Sequence, residues 1–302
     1  MSHDSIEQTF KVNQPVRIKI SNICGSVSLQ PGETDTVHVT ADKLPGSGDA
    51  KRTSIELVQE QDGSISITTR FADELLGWLF GGQACEVAYV IQAPRLSQLD
   101  INTVSATIQA NGFEGEMQFR SVSGEMAISD LAGKIKAESV SGNILGEKFT
   151  GEANLKSVSG EIQVNDSDLQ SIHLVTVSGN VHLQTGFSQV GPYRFETVSG
   201  DIRMNVPAQS RCSVEMHSIS GDFNTNLQSS HITRKGGKVS AELGGGGVLV
   251  SMNSVSGDLH FIEKGMEGST EPATIGVDSQ DILDRLEKGE ISVDEAVTRL
   301  TG

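Results

Sequence analysis

The residues best suited by type to do chemistry are serines beside glycine, and the chain offers them seven times. Val-Ser-Gly occurs at Val122, Val140, Val158, Val177, Val198 and Val255, with Ile-Ser-Gly at Ile219, and Ser or Thr precedes every copy. A serine nucleophile on a strand-to-helix elbow needs G-x-S-x-G, yet the residue two before Ser123 is Ser121. An enzyme needs one nucleophile rather than seven. The serine is therefore expected to be the corner of a repeat, and no catalytic residue is assigned.

The residue after each repeat glycine is polar: Glu125, Asn143, Glu161, Asn180, Asp201, Asp222 and Asp258. Such a column of oxygens suits Ca2+ or the acids of polysaccharide-cleaving β-helices. The G-G-x-G-x-D turn of calcium-binding β-rolls is missing, however. A solvated turn position, with Asn separating like charges, accounts for the same residues and is preferred. His182, His231 and His260 fall near turns or at outward positions. His182 and His260 share a register with other coils between them, which argues against a shared metal. Cys24, Cys85 and Cys212 are odd in number and form no CxxC, so buried reduced thiols are expected. Neither a metal nor a cofactor is assigned.

The elements that place these residues follow from the period. The repeat glycines fall at 124, 142, 160, 179, 200, 221 and 257, successive intervals of 18, 18, 19, 21, 21 and 36 residues. Halfway between copies sit Phe113-Glu-Gly115, Leu131-Ala-Gly133 and Phe149-Thr-Gly151. Apolar positions then step by four, two and three: Val122, Met126, Ile128, Leu131, Ile135, Ala137, Val140. A step of two is strand alternation and the glycine-containing step is a turn, whereas a helix would lack the twos. The fold class is therefore all-β, a parallel β-solenoid of about 18 residues and two strands per coil, with about six inward side chains in each. One inward column holds Met126, Ile144, Ile162, Val181, Ile202, Phe223 and Leu259; another holds Ile135, Ala153, Ile172, Tyr193, Val214 and Val250. Glycine at the corner is expected to supply a positive φ, and the flanking hydroxyls to bond turn amides.

Bulk properties narrow the partners. With 39 acidic and 23 basic residues the formal charge is −16. Nucleic acid and anionic membrane surfaces need a basic footprint and are not expected partners. No stretch approaches the ~18 apolar residues of a spanning helix, and "MSHDSIEQTF" carries neither a basic nor an apolar leader region, so a cytoplasmic location is expected.

The run "SVSGEM", "SVSGNI", "TVSGDI" and "SVSGDL", after a region ending in "VAYVIQAP" and with "LGGGG" before the last copy, resembles the bacterial β-solenoid family labelled "putative adhesin", over roughly residues 6–263. The resemblance implies a β-solenoid and brings no catalytic motif. The tail "LEKGEISVDEA" is similar to the short SHOCT-like C-terminal helical hairpin, which implies oligomerisation or docking. Its caps fit: Asp278 or Ser279 and Gly289 bound one helix, and Ser292 with Glu295 forms a capping box for the next.

The expected layout is an extended β N-terminal region and cap at 1–95, the solenoid at 96–263, a linker at 264–277 and a small α-helical hairpin at 278–302. The expected function is a non-enzymatic scaffold or interaction protein of a bacterial cell that associates with itself. A carbohydrate-active β-helix enzyme and an unconventionally exported surface adhesin are the alternatives. Candidate interface residues are Leu75, Leu76, Trp78, Leu79 and Phe80 in "LLGWLF", and Leu283, Leu286, Val297 and Leu300 in the hairpin stripes. The growing coils place extra residues at the turn opposite Val-Ser-Gly, including the stretch from Asn226 to Gly247. Arg211, His231, Arg234, Lys235 and Lys238 there form a candidate face for an anionic partner.

Overall fold

In every regular coil, alternate side chains along two short strands are apolar, so each strand has one face to bury and both backbone edges to pair. Stacking coils satisfies both needs at once. The computed structural model describes residues 5–72, 83–207, 209–226, 231–235 and 238–263, and these are strands and turns without a helix. The SHOCT-like hairpin at 278–302, its linker and the Leu75–Phe80 cap lie outside the described residues.

Two sheets form opposite walls of one stack. In the middle the order is simple. β8 (Ser97–Thr103) turns at the Val-Ser corner into β9 (Thr107–Asn111), β10 (Glu114–Ser121) follows, and β11 (Met126–Ser139), β12 (Ile144–Ser157) and β13 (Ile162–Thr176) each serve both walls. Their pairing is parallel, with Met126 opposite Ile144, Ile144 opposite Ile162, Ile135 opposite Ala153 and Ala153 opposite Ile172. Both expected columns are real, and their members are buried apart from half-buried Phe223. Five apolar residues of the coil point inward: Met126, Ile128, Leu131, Ile135 and Ala137. The columns also compensate for volume. At Gly146 a Cβ would stand 2.7 Å from the Phe149 ring, which occupies that space.

Towards the ends, chain order and stack order part. The last coil, β21 (Val248–Ser256) and β22 (Leu259–Glu263), is not outermost. It is inserted between the coil of β15 (Tyr193–Ser199) and β16 (Ile202–Val206) and the coil of β17 (Cys212–Ser220) and β18 (Phe223–Thr225). The column therefore runs Ile202, Leu259, Phe223. The stretch from 226 to 247 is not a longer coil. It holds β19 (His231–Lys235) and β20 (Lys238–Leu243), and β20 covers β17 antiparallel.

The N-terminus repeats the manoeuvre. β2 (Val16–Asn22) and β3 (Gly25–Pro31) lie between β8/β9 and the coil of β6 (Ile65–Phe71) and β7 (Val87–Ala93). The hydrogen-bonded stack thus continues across residue 95. β5 (Thr53–Gln59) covers β6 antiparallel, and β4 (Thr36–Lys43) with β1 (Ser5–Lys11) covers β7. Antiparallel strands thus cover β6 and β7 at one end and β17 at the other, in place of open parallel edges that would invite another chain.

Candidate functional site: the Val-Ser corner

Each corner begins with an inward hydroxyl. Thr103, Ser121, Ser139, Ser157, Thr176, Thr197, Ser254 and Ser218 are all buried. Ser121 Oγ accepts the Gly124 N–H at 2.8 Å and Thr176 Oγ1 that of Gly179 at 3.1 Å. At these two corners the hydroxyl folds the turn, and Thr103 Oγ1 donates to Ala106 O at 3.2 Å. Ser139, Ser157, Thr197, Ser218 and Ser254 are instead buried without a hydrogen-bond partner for the side-chain oxygen. In the coil of β2, Asn22 takes its place: its Nδ2 donates to Val87 O at 3.0 Å and its Oδ1 accepts from Thr69 Oγ1 at 2.9 Å. Thr69 also meets the Tyr89 hydroxyl at 2.7 Å, and burial pushes that phenol up to about 12.

Glycine is required, but not for the expected reason at most corners. Gly124, Gly142, Gly160, Gly179 and Gly221 lie outside the left-handed region, and the positive φ is confined to Gly200 and Gly257 among the repeat glycines. The cause is the neighbouring coil: a Cβ on Gly160 would stand 2.1 Å from Gly142 O, and one on Gly124 1.9 Å from Ala106 O. Across the stack, the left-handed turn residues are Asp130, Lys148 and Asp166, followed by Gly133 and Gly151 at positive φ.

The corner's second and third residues face water. The valines step four residues from the next inward position and fit the apolar pattern, but the chain turns outward there. Val104, Val122, Val140, Val158, Val177, Val198 and Val255 are 43–50% exposed and Ile219 is 74% exposed. Backbone bonds hold this row in step: Val140 N–H donates to Ser121 O, and Ser141 N–H to Val122 O at 2.8 Å. The Ser row beside it is exposed throughout. An exposed Ser next to Val, with neither base nor oxyanion pocket described around it, lacks the arrangement of a nucleophile.

The polar column after the glycine has a structural use. Asn143 Oδ1 accepts the Glu161 N–H at 3.0 Å, and Asn180 Oδ1 that of Asp201 at 3.1 Å. At this end no Asn separates the acids: Asp201, Asp258 and Asp222 are consecutive in the stack, and the inserted coil puts Asp258 in the middle. Asp201 Oδ1 accepts the Asp258 N–H, and Asp258 Oδ1 the Asp222 N–H, both at 2.9 Å. One carboxylate oxygen of Asp201 and one of Asp258 are thus engaged in coil-to-coil bonding. Among the described residues no group of three His, Cys, Asp or Glu side chains is arranged to hold a metal.

The remaining candidates are dispersed. Arg203 separates His182 from His260 in the stack, and Asn205 Nδ2 lies 3.2 Å from His182 Nε2. Burial, helped by Arg203 and opposed by Asp201 and Asp258, lowers the His260 pKa. Cys24, Cys85 and Cys212 are free thiols; Cys24 is half-buried, contrary to expectation, while the other two are buried. Burial pushes the Cys212 thiol up to about 12 and also raises Cys24, with Glu86 and Cys85 adding to it. Neither behaves as an activated nucleophile.

The basic candidates are split along the β19–β20 hairpin. Arg211 precedes β17 at the turn opposite the corner, and His231 on β19 is level with Glu242 and Ser213. Lys235 pairs with Lys238 at the hairpin tip, level with His217 and near the Val-Ser corner, and Arg234 is one residue away. Lys238 Nζ is bound to Glu215 Oε2 at 3.1 Å. Leu75, Leu76, Trp78, Leu79, Phe80, Leu283, Leu286, Val297 and Leu300 lie outside the described residues.

A shallow groove of about 380 Å³ crosses β10–β13 and reaches β15, with Lys134, Lys136, His173 and Arg194 among Glu116 and Glu152. Its charges are mixed and its walls are sheet surface. Sequence reasoning missed it: the rows Glu116, Lys134, Glu152 and Gln118, Lys136, Asn154 keep the period but vary in type, so no motif marks them.

The family model described as Toastrack DUF4097 matches residues 16–262. No curated protein matches the chain. Among solved structures, a "putative lipid binding protein" from Parabacteroides distasonis is 13% identical, over 86% of this chain and 96% of that one, with a TM-score of 0.48. A "putative adhesin" from Parabacteroides merdae is 10% identical over 86% and 95%, with a TM-score of 0.42. A "putative cell adhesion protein" from Clostridium sporogenes is 9% identical over 86% and 100%, with a TM-score of 0.24. Among the described residues no helix is long and apolar enough to cross a membrane.

Proposed function

We propose that this chain, which belongs to the Toastrack DUF4097 family, is a non-enzymatic scaffold that associates with itself. The observation that carries this reading is the corner row. Seven valines and one isoleucine, each roughly half-exposed or more, form one row, a residue per coil, on a backbone joined by hydrogen bonds. Threonine has the same shape and would suit water better, yet the row keeps the hydrocarbon. A rigid strip that repeats one apolar side chain is suited to contact rather than to turnover. Beside it, Ser121 and Thr176 bond the turn, and Asn143, Asn180, Asp201 and Asp258 join coil to coil.

Light scattering on the full chain tests the reading. A mass above one chain at micromolar concentration is expected. A single-chain mass across the whole accessible range would overturn self-association. Polysaccharide cleavage abolished by Glu161→Gln or Asp201→Asn would overturn the non-enzymatic part.

A further inference from the structure

We infer that the Val row is the contact surface of a parallel, two-fold symmetric dimer of this chain, an inference that rests on the self-association proposed above. The row has eight levels, from Val104 to Ile219, and at ~4.8 Å per level is about 35 Å long. A helix rises 5.4 Å per turn and would fall out of step over that length. A second β-stack has the same spacing and stays level at every coil, which is how like side chains interdigitate in dry sheet contacts.

Charge decides the orientation. One flank of the row carries Glu125 and Glu161; the other carries Arg120 and Lys156 with Glu138 between them, each base at the same coil level as its acidic counterpart. Arg120 is also held within its own chain by Glu138 and Asn102 at 3.1 Å each. A two-fold axis along the row leaves every coil opposite itself and brings each flank against the other flank. Glu125 then faces the second copy's Arg120, and Glu161 its Lys156. His217 faces Asp222 in the same way, and the like-charged pairing is Glu196 with Asp201. A two-fold axis across the row would instead set the acidic flank against itself, which costs stability.

The test uses the full chain in sedimentation equilibrium. Changing Val122, Val140, Val158 and Val177 to Thr keeps the branched shape at exposed positions, so the melting temperature should be preserved. The dimer dissociation constant should rise at least ~100-fold, since eight methyl groups per dimer are replaced by hydroxyls. A wild-type monomer would overturn self-association and this surface together. A wild-type dimer unaffected by the four threonines would overturn the surface alone. Orientation is read from Ser123→Cys in a Cys24→Ser background with a short bis-maleimide. The parallel dimer places Ser123 near its own copy and should cross-link. A dimer that the threonines break but that fails to cross-link would overturn the parallel arrangement. Lys156→Glu should weaken the dimer, and adding Glu161→Lys should restore it; failure of that rescue would overturn the facing of the flanks.

Discussion

Between Ser97 and Thr176 the coils stack in the order in which the chain is written, whereas at both ends one coil is laid down out of turn. The middle is a sum of like neighbours, in which each strand pairs with those one period before and after it. At the ends, β2/β3 and β21/β22 are instead gripped on both sides by coils that lie on one side of them in sequence. A solenoid wound in simple order would leave its first and last coils as frayed parallel edges. Here the inserted coils lie inside, and short antiparallel strands cover β6, β7 and β17. The difference teaches that the repeat specifies what a coil is, while the long connections specify where it sits.

The largest expected effect breaks the middle. Gly160→Val drives a branched side chain into a stacked backbone carbonyl, since even a Cβ would stand 2.1 Å from Gly142 O. It should cost more than ~4 kcal/mol, whereas Ser159→Ala at the exposed position beside it should stay within ~0.5 kcal/mol. Denaturant melts of the two variants check this, and equal shifts would remove the close-approach explanation.

A smaller effect sharpens the comparison at the C-terminal end. Phe261 on the inserted coil is 1% exposed and stacks on Phe187 with ring centroids 6.1 Å apart, while Phe223 on the outer coil is half-buried. Phe261→Ala should cost about 3–5 kcal/mol and Phe223→Ala about 1 kcal/mol. Simple chain order would reverse the ranking, because Phe223 would then lie inside.

The smallest effect is pH-dependent. His260 has its folded pKa below the unfolded value of 6.5, chiefly through burial. Below that pH the unfolded chain binds more protons at this ring, so stability is full above about pH 6.5 and declines as pH falls through the folded pKa. His260→Gln should flatten the melting temperature between pH 7 and 5 by a degree or two, about as much as a sub-kcal change gives.

How much of this was legible follows from particular residues. Met126, Ile144 and Ile162 recur at one offset from Val-Ser-Gly, so the inward column and the two-strand coil could be read directly. Phe223 and Leu259 share that offset, and either order keeps the column apolar; periodicity is blind to which lies inside. The outward valines were hidden for a related reason. Val122 is four residues from Met126, a step that reads as apolar pattern whether or not the chain turns outward between them. The corner glycines were located correctly but assigned a backbone cause, because a clash with the neighbouring coil depends on stacking distance and leaves no trace in one coil's sequence. The run of Asp201, Asp222 and Asp258 could be read from the repeat, but not the order 201, 258, 222 in which their carboxylates bond the next coil's N–H.

Paired cysteines at outward positions test the inserted coil most directly. Parallel neighbours in register are close enough for a disulfide, with Cα atoms within the ~4.4–6.8 Å that the bond spans. Arg203 is in register with His260, and His260 with Asn224, so Arg203 and Asn224 are two strands apart. On oxidation, Arg203→Cys with His260→Cys should form an intramolecular disulfide in native protein, and Arg203→Cys with Asn224→Cys should not. The opposite result, a disulfide in the Arg203→Cys, Asn224→Cys protein and none in the Arg203→Cys, His260→Cys protein, would show the coils stacked in chain order and contradict the account.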